Sequence, residues 1–329
     1  MRATHVKHLC CPKCQADLRL QAEDSDGDHV MSGSLTCEGC GAEHPILDGI
    51  PRFVPLENYA GSFGFQWNTH DRTQYDGTSR RSVSETRFRE ETKWGAALEG
   101  EVVIEAGCGS GRFTPHALAT GATVLTFDFS NAVEANFRSN SDNPNACIVQ
   151  ASLYEMPFRD GYADRLFCFG VLQHTPNPLE SFRCLTTKVR AGGHLAADIY
   201  ALRFRTLFWS KYWVRPITSR FGDDESKYRL FKRYVDLMWP LARLNMRVFP
   251  NWFGRKINWQ LFVPDYSEYD LTDEQLKQWA YLDLFDMLAP AYDRPKSRRT
   301  FQKWFKHYGF RDIDVHYGYN GVEGRGIKL

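Results

Sequence analysis

The chain has 329 residues, which is enough for one large hydrophobic core and a smaller module. Its formal net charge is +1, so the molecule as a whole has no strong electrostatic attraction for nucleic acid. No apolar run approaches the ~20 residues that a membrane-spanning helix needs. The N-terminal run MRATHVKHLC lacks the apolar centre of a signal peptide, and we therefore expect a cytoplasmic protein.

Two pairs of cysteines lie near the N-terminus. CPKC at 11–14 and CEGC at 37–40 are separated by 22 residues, which is close to the spacing of a four-cysteine zinc ribbon. Four thiolates around one ion would hold together a segment too small to fold on its own core, so we predict a structural zinc module over residues 1–56. The alternatives are iron bound as in rubredoxin and a pair of disulfides. The predicted metal ligands are Cys11, Cys14, Cys37 and Cys40.

The run that follows the second pair, AEHPILDGIPRFVP, resembles a known zinc-ribbon module. That module is a small activating subunit of translation-related methyltransferases, and it is also fused ahead of many bacterial ones. The resemblance implies a module that acts within the chain, in structural support or partner contact and not in chemistry.

The segment 57–97 connects this module to the next part of the chain. Its stretch SFGFQWNTHDRTQYD mixes aromatic and polar residues without a clear period. Such a mixture is more typical of a covering segment than of a core helix. We predict a linker that either closes over a ligand or bridges the ribbon to the core.

The most informative motif is an apolar strand followed by glycines at alternate positions, in the run VVIEAGCGSGRFT at 102–114. A side chain at Gly107, Gly109 or Gly111 would push the backbone away from a ligand that lies across the strand-to-helix turn. The third glycine comes one residue too early for the dinucleotide-binding pattern G-x-G-x-x-G. This spacing weakens the prediction of a pyrophosphate ligand.

The next strand ends in an acidic residue, Asp128, about twenty residues after the glycine loop. A carboxylate at this place can accept hydrogen bonds from both hydroxyls of a ribose. The alternative is that Asp128 caps the following helix. Together, the loop and the carboxylate predict a nucleotide-like ligand.

The glycine pattern resembles motif I of the class I methyltransferases that use S-adenosylmethionine. The resemblance implies that Glu105 and the loop amides face the methionine end of the cofactor, and that Phe129 packs on the adenine. Most members carry Asp where Ser152 stands, so the Ser152 hydroxyl, the Leu153 backbone or a water would have to replace that carboxylate. The predicted cofactor-binding residues, three of them from the covering segment, are Phe63, Gln66, Trp67, Glu105, Gly107, Cys108, Gly109, Gly111, Asp128, Phe129, Ser130, Ser152, Leu153, Phe169 and Gly170.

Strands and helices alternate over residues 98–200, which we predict to form the S-adenosylmethionine-binding core. The fourth strand, 165–170, is a continuous apolar run suited to the middle of a parallel sheet. The next helix begins after the N-cap Asn177 and ends at 191–193, before a fifth strand at 194–200. This alternation predicts an α/β fold with a doubly wound Rossmann-like sheet, for which the resemblance implies seven strands. The apolar stripe of that helix is predicted to comprise Leu179, Phe182, Leu185 and Val189.

The stretch 201–262 differs in composition from the rest of the chain. It holds 13 Lys or Arg against 4 Asp or Glu, a net charge of +9, whereas the remaining residues sum to −8. It also contains 15 aromatic residues. We predict a helical insert over 201–290 that caps the acceptor pocket, with its aromatics packed on the sheet and its cations in solvent. The alternatives are peripheral contact with an anionic membrane through 201–262 and contact with RNA.

The last part of the chain returns to regular structure. Thr272 and Gln275 form the capping box of one helix, and residues 291–329 are predicted to supply a further helix and the final strands. Taken together, the ribbon, SFGFQW, the glycine loop, FGVLQHTPNP and WAYLDLFDMLAPAYDRP resemble one group of bacterial methyltransferases found with glycan, lipid or natural-product pathways. The resemblance covers nearly the whole chain. It implies a small-molecule, glycan or lipid-linked acceptor, and a lid that closes over the cofactor.

A sulfonium methyl donor is already a strong electrophile, so the protein must align the acceptor and, where needed, remove a proton. His174, shortly after the fourth strand, is the first candidate base, although a histidine here also serves to order a loop. Asp198 and Tyr200 end the fifth strand and are the other catalytic candidates. Asp286 and Tyr292 are candidates for the wall of the acceptor pocket.

Three other functions stay open. An RNA or protein methyltransferase would use the ribbon to bind its substrate, although the near-neutral charge leads us to expect no nucleic-acid partner. A nicotinamide-dependent oxidoreductase would share the doubly wound sheet. A zinc-ribbon adaptor without enzymatic activity would account for the departure at Ser152.

Overall fold

The computed structural model describes residues 1–55, 60–76, 82–220 and 222–329. The predicted boundary between the ribbon and the covering segment, at 56 and 57, lies outside these ranges. The described residues form two sheets, one of four strands and one of seven. Within these ranges no helix combines the length and the apolar character that crossing a bilayer requires.

The N-terminal module is an antiparallel sheet that follows a short 3-10 helix at Ala3–His8. Its strands pair in chain order, and the first two form a long hairpin whose register is broken by an irregularity after Ala22. The four strands are β1 Leu18–Asp26, β2 His29–Cys37, β3 Glu43–Leu47 and β4 Ile50–Pro51.

The described part of the covering segment contains two helices, α1 Gly61–Thr69 and α2 Val83–Thr92. The strands of the large sheet are β5 Val102–Ala106, β6 Thr123–Asp128, β7 Ala146–Gln150, β8 Ala163–Cys168, β9 Val189–Ile199, β10 Phe310–Tyr317 and β11 Val322–Lys328. The remaining α-helices are α3 Thr114–Leu118, α4 Val133–Asn140, α5 Pro178–Lys188, α6 Ser210–Thr218, α7 Asp224–Val248, α8 Trp252–Gln260, α9 Asp273–Leu288 and α10 Arg298–His307. Three further 3-10 turns lie at Leu172–His174, Phe204–Phe208 and Ser267–Tyr269.

The large sheet has the order β10-β11-β9-β8-β5-β6-β7. Its strands β5 to β9 are parallel, whereas β11 runs antiparallel to β9 and β10 antiparallel to β11. The winding reverses at β5, whose neighbours are β6 on one side and β8 on the other, and ligands bind at the carboxyl ends of strands at such a reversal. This topology confirms the predicted α/β fold with a doubly wound, seven-stranded sheet.

Two local predictions for α5 and β9 need correction. The helix ends at Lys188 and β9 begins at once with Val189, so the glycines of 191–193 lie inside the strand and do not end the helix. Val189 pairs with Ala163 and His194 with Arg165, and the extra residues between them bulge out of the ladder. Leu179, predicted to face the core, is 42% exposed, whereas the neighbouring Pro178 is buried, so the side of the first turn that carries Leu179 faces solvent.

The ribbon packs against the edge of the large sheet next to β7. The N–H of Phe53 donates to the carbonyl of Gln150 at 2.8 Å, and the Arg52 guanidinium donates to the side-chain carbonyl of the same glutamine at 2.9 Å. Leu35 and Ile46 of the ribbon belong to the same hydrophobic cluster as the central strands. The module is therefore continuous with the core of the large sheet.

The helices after β9 form a core of their own. Phe231, Val235 and Trp239 of α7 are buried against α9, in a cluster separate from those of the sheet. The prediction that the aromatics of this segment pack on the sheet is therefore wrong for these residues, because α9 intervenes as their partner. Phe204, Phe208 and Trp252 are more than half exposed instead.

Candidate functional site

A cavity of about 270 Å³ opens at the carboxyl ends of the parallel strands, beneath α1 and α9. The glycine loop and the end of β6 form one wall, and α9, the turn at 267–269, His174 and Tyr200 form the other. The predicted residues that line it are Phe63, Gln66, Trp67, Gly107, Cys108, Gly109, Asp128, Phe129, Leu153, Phe169, Gly170, His174, Tyr200 and Asp286.

Two glycines of the loop are required by the close approach of other groups. Gly107 has φ +77°, and a Cβ there would lie 2.3 Å from Cγ2 of Val171. Gly109 has φ +53°, and a Cβ there would meet the indole nitrogen of Trp67 at 3.2 Å. Because this indole lies against the loop backbone, α1 forms a cover over the loop at the predicted place.

Asp128 ends β6 and is tied to the loop. One carboxylate oxygen accepts the N–H of Gly109 at 2.9 Å, and the other accepts the N–H and the hydroxyl of Ser130 at 2.8 and 2.7 Å. Burial raises the pKa of this carboxyl above its usual value. A carboxylate has about four acceptor sites, so capacity for a ligand hydroxyl remains. Asp128 accepts the N–H of Ser130 and not one from α4, which begins at Val133, so the capping alternative for Asp128 is not observed.

Glu105 lies beneath the loop and does not line the cavity. Its carboxylate accepts the hydroxyls of Thr114 at 2.5 Å and Thr126 at 2.8 Å, and burial raises its pKa to about 7. The side chain thus joins β5 to the start of α3 and to β6. Because it does not reach the cavity, it is not placed to make the contact with the methionine end of a cofactor that the resemblance implies.

Three other predicted cofactor residues also lie outside the cavity lining. Gly111 is packed against Asn136, and the Ser130 hydroxyl is taken up by Asp128. The Ser152 hydroxyl accepts the N–H of Tyr154 at 3.1 Å. Of these two neighbouring residues, Ser152 and Leu153, the one that faces the cavity is therefore Leu153.

His174 lies at the centre of a polar group on the far side of the cavity. Its Nδ1 is 2.9 Å from the carbonyl oxygen of Tyr292 and must donate to it, since a carbonyl only accepts. In the neutral ring Nε2 then carries the lone pair, and this buried atom has no hydrogen-bond partner among the described residues. It lies 3.9 Å from Oδ1 of Asp286, whose other oxygen accepts the Tyr200 hydroxyl at 2.8 Å.

The predicted catalytic residue Asp198 occupies a structural position. It is fully buried, accepts the N–H of Gly170 at 2.6 Å and pairs with the Arg87 guanidinium at 2.6 Å. Arg87 also pairs with Glu91 and lies over the rings of Phe113 and Phe169. Asp198 does not line the cavity, so it holds the loop after β8 in place and is not positioned to meet a substrate.

The acceptor-side wall contains residues that the sequence did not single out. They come from α2, from the residue after the glycine loop, from the turn before α9 and from α9 itself. Arg112 follows the glycine loop directly, and Asp283 lies within the C-terminal segment WAYLDLFDMLAPAYDRP. Both residues could therefore have been predicted from these two motifs. The missed residues that line the cavity include Arg87, Arg112, Tyr266, Tyr269, Trp279 and Asp283.

Asp283 and Arg112 give this wall an unusual electrostatic character. Burial raises the pKa of Asp283 to about 7, and the Tyr266 hydroxyl donates to its carboxylate. Arg112 donates to the Ser84 hydroxyl at 2.9 Å and the Gln74 side-chain carbonyl at 2.7 Å, both neutral groups. Burial lowers the pKa of Arg112 to about 10. A cation whose hydrogen-bond partners are neutral is suited to meeting an anionic ligand group.

The four ribbon cysteines come together as predicted. Their sulfur atoms all lie within 4.8 Å of one another, with Cys14 and Cys37 at 3.3 Å and Cys11 and Cys40 at 3.7 Å. Zinc–sulfur bonds of ~2.3 Å in a tetrahedron place the sulfurs roughly 3.8 Å apart. The N–H of Cys40 points at the Cys37 sulfur and lowers the pKa of that thiol to about 6. The cluster is thus compatible with a four-coordinate metal site.

Comparison with known sequences places a methyltransferase domain on this sheet. Residues 104–197 match the family described as "Methyltransferase domain". The tRNA U34 carboxymethyltransferases of Shewanella sp. (strain ANA-3) and Alcanivorax borkumensis are 29% and 30% identical to this chain over 125 residues. These alignments cover 35% of this chain and 38% of each relative, so the chain spans less than two fifths of the length of the curated relatives it matches.

The chain also aligns with solved structures at low similarity. A SAM-dependent methyltransferase from Aquifex aeolicus aligns with a TM-score of 0.41 and 11% identity, over 82% of this chain and 97% of that one. The phosphoethanolamine N-methyltransferase 2 of Haemonchus contortus, in complex with phosphomonomethylethanolamine and S-adenosylhomocysteine, aligns with a TM-score of 0.42 and 15% identity, over 79% and 44% of the two chains.

The residues matched to the methyltransferase domain include much of the cavity lining. Residues 104–197 contain the glycine loop, Asp128, Leu153 and His174, which all line the cavity. The prediction of a methyltransferase enzyme is confirmed at the level of this domain, whose matched family is described as a methyltransferase domain.

Proposed function

We propose that this chain transfers the methyl group of S-adenosylmethionine to a small-molecule, glycan or lipid-linked acceptor. The observation that carries the proposal is a cavity with two unlike walls. One wall is the glycine loop with Asp128, and the other holds Asp283 and the pair His174 and Asp286. Donor and acceptor can therefore meet within one cavity, which is the requirement for in-line transfer.

The cofactor side of the cavity fits a nucleoside. Asp128 would accept the ribose hydroxyls, and Phe129 and Leu153 would hold the adenine between apolar surfaces. The side-chain oxygen of Gln66 is buried without a hydrogen-bond partner among the described residues, and Gln66 lines the cavity. Such an orphaned acceptor is suited to an amino group of the ligand. When bound, the sulfonium centre supplies an electrophilic methyl group.

His174 would act as the base that takes the proton from the acceptor. Its Nε2 carries the free lone pair, and Asp286 lies where it can stabilise the imidazolium that forms. Tyr200 fixes Asp286 through its hydroxyl, and the rings of Phe63 and Tyr200 pack edge-on against the imidazole at 5.0 and 5.4 Å. These contacts hold the ring in one orientation and limit the access of water.

An RNA acceptor is the second candidate, and one observation favours it. The curated relatives that match part of this chain are named tRNA U34 carboxymethyltransferases. Against it, the net charge is only +1, and RNA-binding proteins use strong positive fields to hold phosphates. We therefore place RNA second.

The ribbon cluster is proposed as a structural zinc site. The ribbon shares a hydrophobic cluster with the sheet, so loss of the metal would unfold β1–β3 and weaken the packing beside β7. Elemental analysis of the purified chain should find one zinc per chain, reduced in a Cys14→Ser/Cys40→Ser variant and retained in Cys184→Ser. Iron in place of zinc, or no metal in the unmodified chain, would contradict this assignment.

The proposed activity is tested with methyl-labelled S-adenosylmethionine and a lysate of the source organism. Small-molecule, glycan and lipid extracts are separated from RNA and protein before the label is counted. Label in the extracts that disappears with His174→Ala supports the proposal. Label in RNA supports the second candidate, and label in protein contradicts both. Calorimetry with the unlabelled cofactor, run in parallel, shows whether the cofactor assignment holds when no acceptor is found.

A further inference from the structure

Helix α7 is apolar on two opposite faces. One face packs on α9 through Phe231 and Val235, which are almost completely buried. The other face presents Leu237, Leu241 and Leu244 to solvent, with Leu237 74% exposed. Spacings of four and three residues place these leucines on one side of the helix, and Val248 continues the row at the next turn. A row of exposed aliphatic side chains this long marks an interaction surface.

The apolar surface continues onto α8. The ring of Phe249, just after α7, contacts the ring of Phe253 at 5.5 Å, and Phe253 in turn contacts Trp252 at 6.0 Å. Trp252 is 65% exposed. We call the exposed side chains Leu237, Leu241, Leu244, Val248, Trp252 and Phe253 the docking face.

Cations without acidic partners border the docking face. Residues 237–262 contain four Lys or Arg and no Asp or Glu. Two of these cations, Arg243 and Arg255, pair with acids elsewhere. Arg247 and Lys256 are exposed and form no ion pair with any described residue, and the Lys256 ammonium lies 4.1 Å above the Trp252 ring. Arg233, one turn before Leu237, is likewise exposed and forms no ion pair within the described ranges.

This combination selects among three kinds of partner. A second copy of the chain, joined through the same face, would bring like charges together and is disfavoured. RNA would be bound by stacking on rings, whereas much of the docking face is leucine and valine, which have no π-face. A surface with anionic headgroups above an apolar interior matches both the cations and the aliphatic side chains.

We propose that the docking face seats this protein on the surface of an anionic membrane. The leucines, Val248, Trp252 and Phe253 enter the boundary between headgroups and acyl chains, and Arg233, Arg247 and Lys256 contact lipid phosphates. Because α7 packs directly on α9, which carries Asp283 and Asp286 into the cavity, the membrane would lie one helix layer from the acceptor wall. Docking itself does not depend on the proposed function.

The test is flotation of the full chain with lipid vesicles, without cofactor or acceptor, so that its outcome is independent of catalysis. Vesicles of phosphatidylcholine alone are compared with an equal mixture of phosphatidylcholine and phosphatidylglycerol. We expect binding to the mixture, weak binding to phosphatidylcholine, and loss of binding as salt is raised. Equal binding to both vesicle types, or binding to neither, would overturn the proposal.

Two pairs of variants localise the contact. Leu237→Glu/Leu241→Glu should lower vesicle partitioning at least about tenfold, whereas Leu179→Glu, at an exposed leucine of α5, should leave it unchanged. Arg233→Glu/Arg247→Glu should lower it by a similar factor, and Arg299→Glu, a charge reversal on α10, should have little effect. Circular dichroism and thermal melting confirm that each variant is folded. Unchanged partitioning in both double variants contradicts the assignment.

Two further measurements exclude the other partners. Sedimentation of the free protein reports its oligomeric state, and a stable dimer that Leu237→Glu dissociates would mean that the docking face is a subunit interface. Tryptophan fluorescence should shift to shorter wavelength with anionic vesicles, and Trp252→Phe should reduce that shift. Tight RNA binding lost in Leu237→Glu/Leu241→Glu, with no binding to vesicles, would replace the membrane by RNA.

Discussion

The two walls of the cavity differ in how their chemistry is built. On the sheet wall, a direct hydrogen bond joins Gly109, in the loop after β5, to Asp128, at the end of the adjacent strand β6, so two paired strands position both groups. On the helical wall, Asp283 and Asp286 lie near Tyr266, Tyr200 and His174, which come from separate elements. The contrast indicates that the proposed donor side depends on the pairing of neighbouring strands, whereas the proposed acceptor side depends on the packing of distant segments.

The largest effect is expected on the sheet wall. In Gly107→Ala the new Cβ would lie 2.3 Å from Val171 in a backbone with positive φ, so the loop must move. We expect loss of measurable S-adenosylmethionine binding in calorimetry and a lower melting temperature. Gly100→Ala is the matched control, because Gly100 also has positive φ but a Cβ there would meet nothing within 4 Å. Equal effects of the two substitutions would mean that strain, and not the clash with Val171, matters.

The next effect concerns catalysis on the helical wall. His174→Ala removes the ring nitrogen that faces Asp286, and we expect the rate of methyl transfer to fall by ~100-fold. Cofactor affinity should stay within a few-fold, since the loss is of a proton acceptor. The rate is measured with labelled cofactor and the extract that accepts label. His307→Ala, at an exposed histidine of α10, serves as the control. A rate that survives in His174→Ala would assign the histidine to ordering the loop.

A smaller effect separates Asp128 from Ser152. Asp128→Asn weakens a charged acceptor that faces the cavity, and we expect S-adenosylmethionine affinity to fall about tenfold. Ser152→Ala removes a hydroxyl that does not line the cavity, so its effect on affinity should be within about twofold. Calorimetry on both variants makes the comparison. Comparable losses would mean that Ser152 takes part in adenine recognition after all.

The smallest effect is a change in the pH dependence of stability. Burial raises the pKa of Asp283 to about 7, above the value in the unfolded chain. Its contribution to stability is therefore complete below about pH 4 and lost as pH rises through about 7. Asp283→Asn should reduce the fall in melting temperature between about pH 5 and about pH 8. Asp312→Asn, at an exposed carboxylate, should leave this fall in melting temperature as it is in the unmodified chain. The same fall in Asp283→Asn as in the unmodified chain would contradict the raised pKa.

Much of the sheet could be predicted because its determinants are local. An apolar strand, alternating glycines and an acid about twenty residues later are all read from contiguous residues, and the parallel topology follows from the alternation of strands and helices. The four-cysteine cluster could also be predicted, because the spacing of the cysteines alone indicates that their sulfur atoms lie close together. The bulge in β9 was missed because it depends on the register against β8, which no single stretch of sequence contains.

Short-range spacing in the amino-acid sequence was enough to establish the class of fold, the glycine loop with Asp128 and the four-cysteine cluster. Long-range packing was needed to establish that Asp198 is sealed behind Arg87 and Gly170 and that Glu105 lies beneath the loop. The same packing brings Arg112 and Asp283 into one cavity and leaves the leucines of α7 facing solvent. The packing of segments far apart in the chain decides which side of a helix or strand end contacts a neighbour. The composition of the chain shows only that the residues are present.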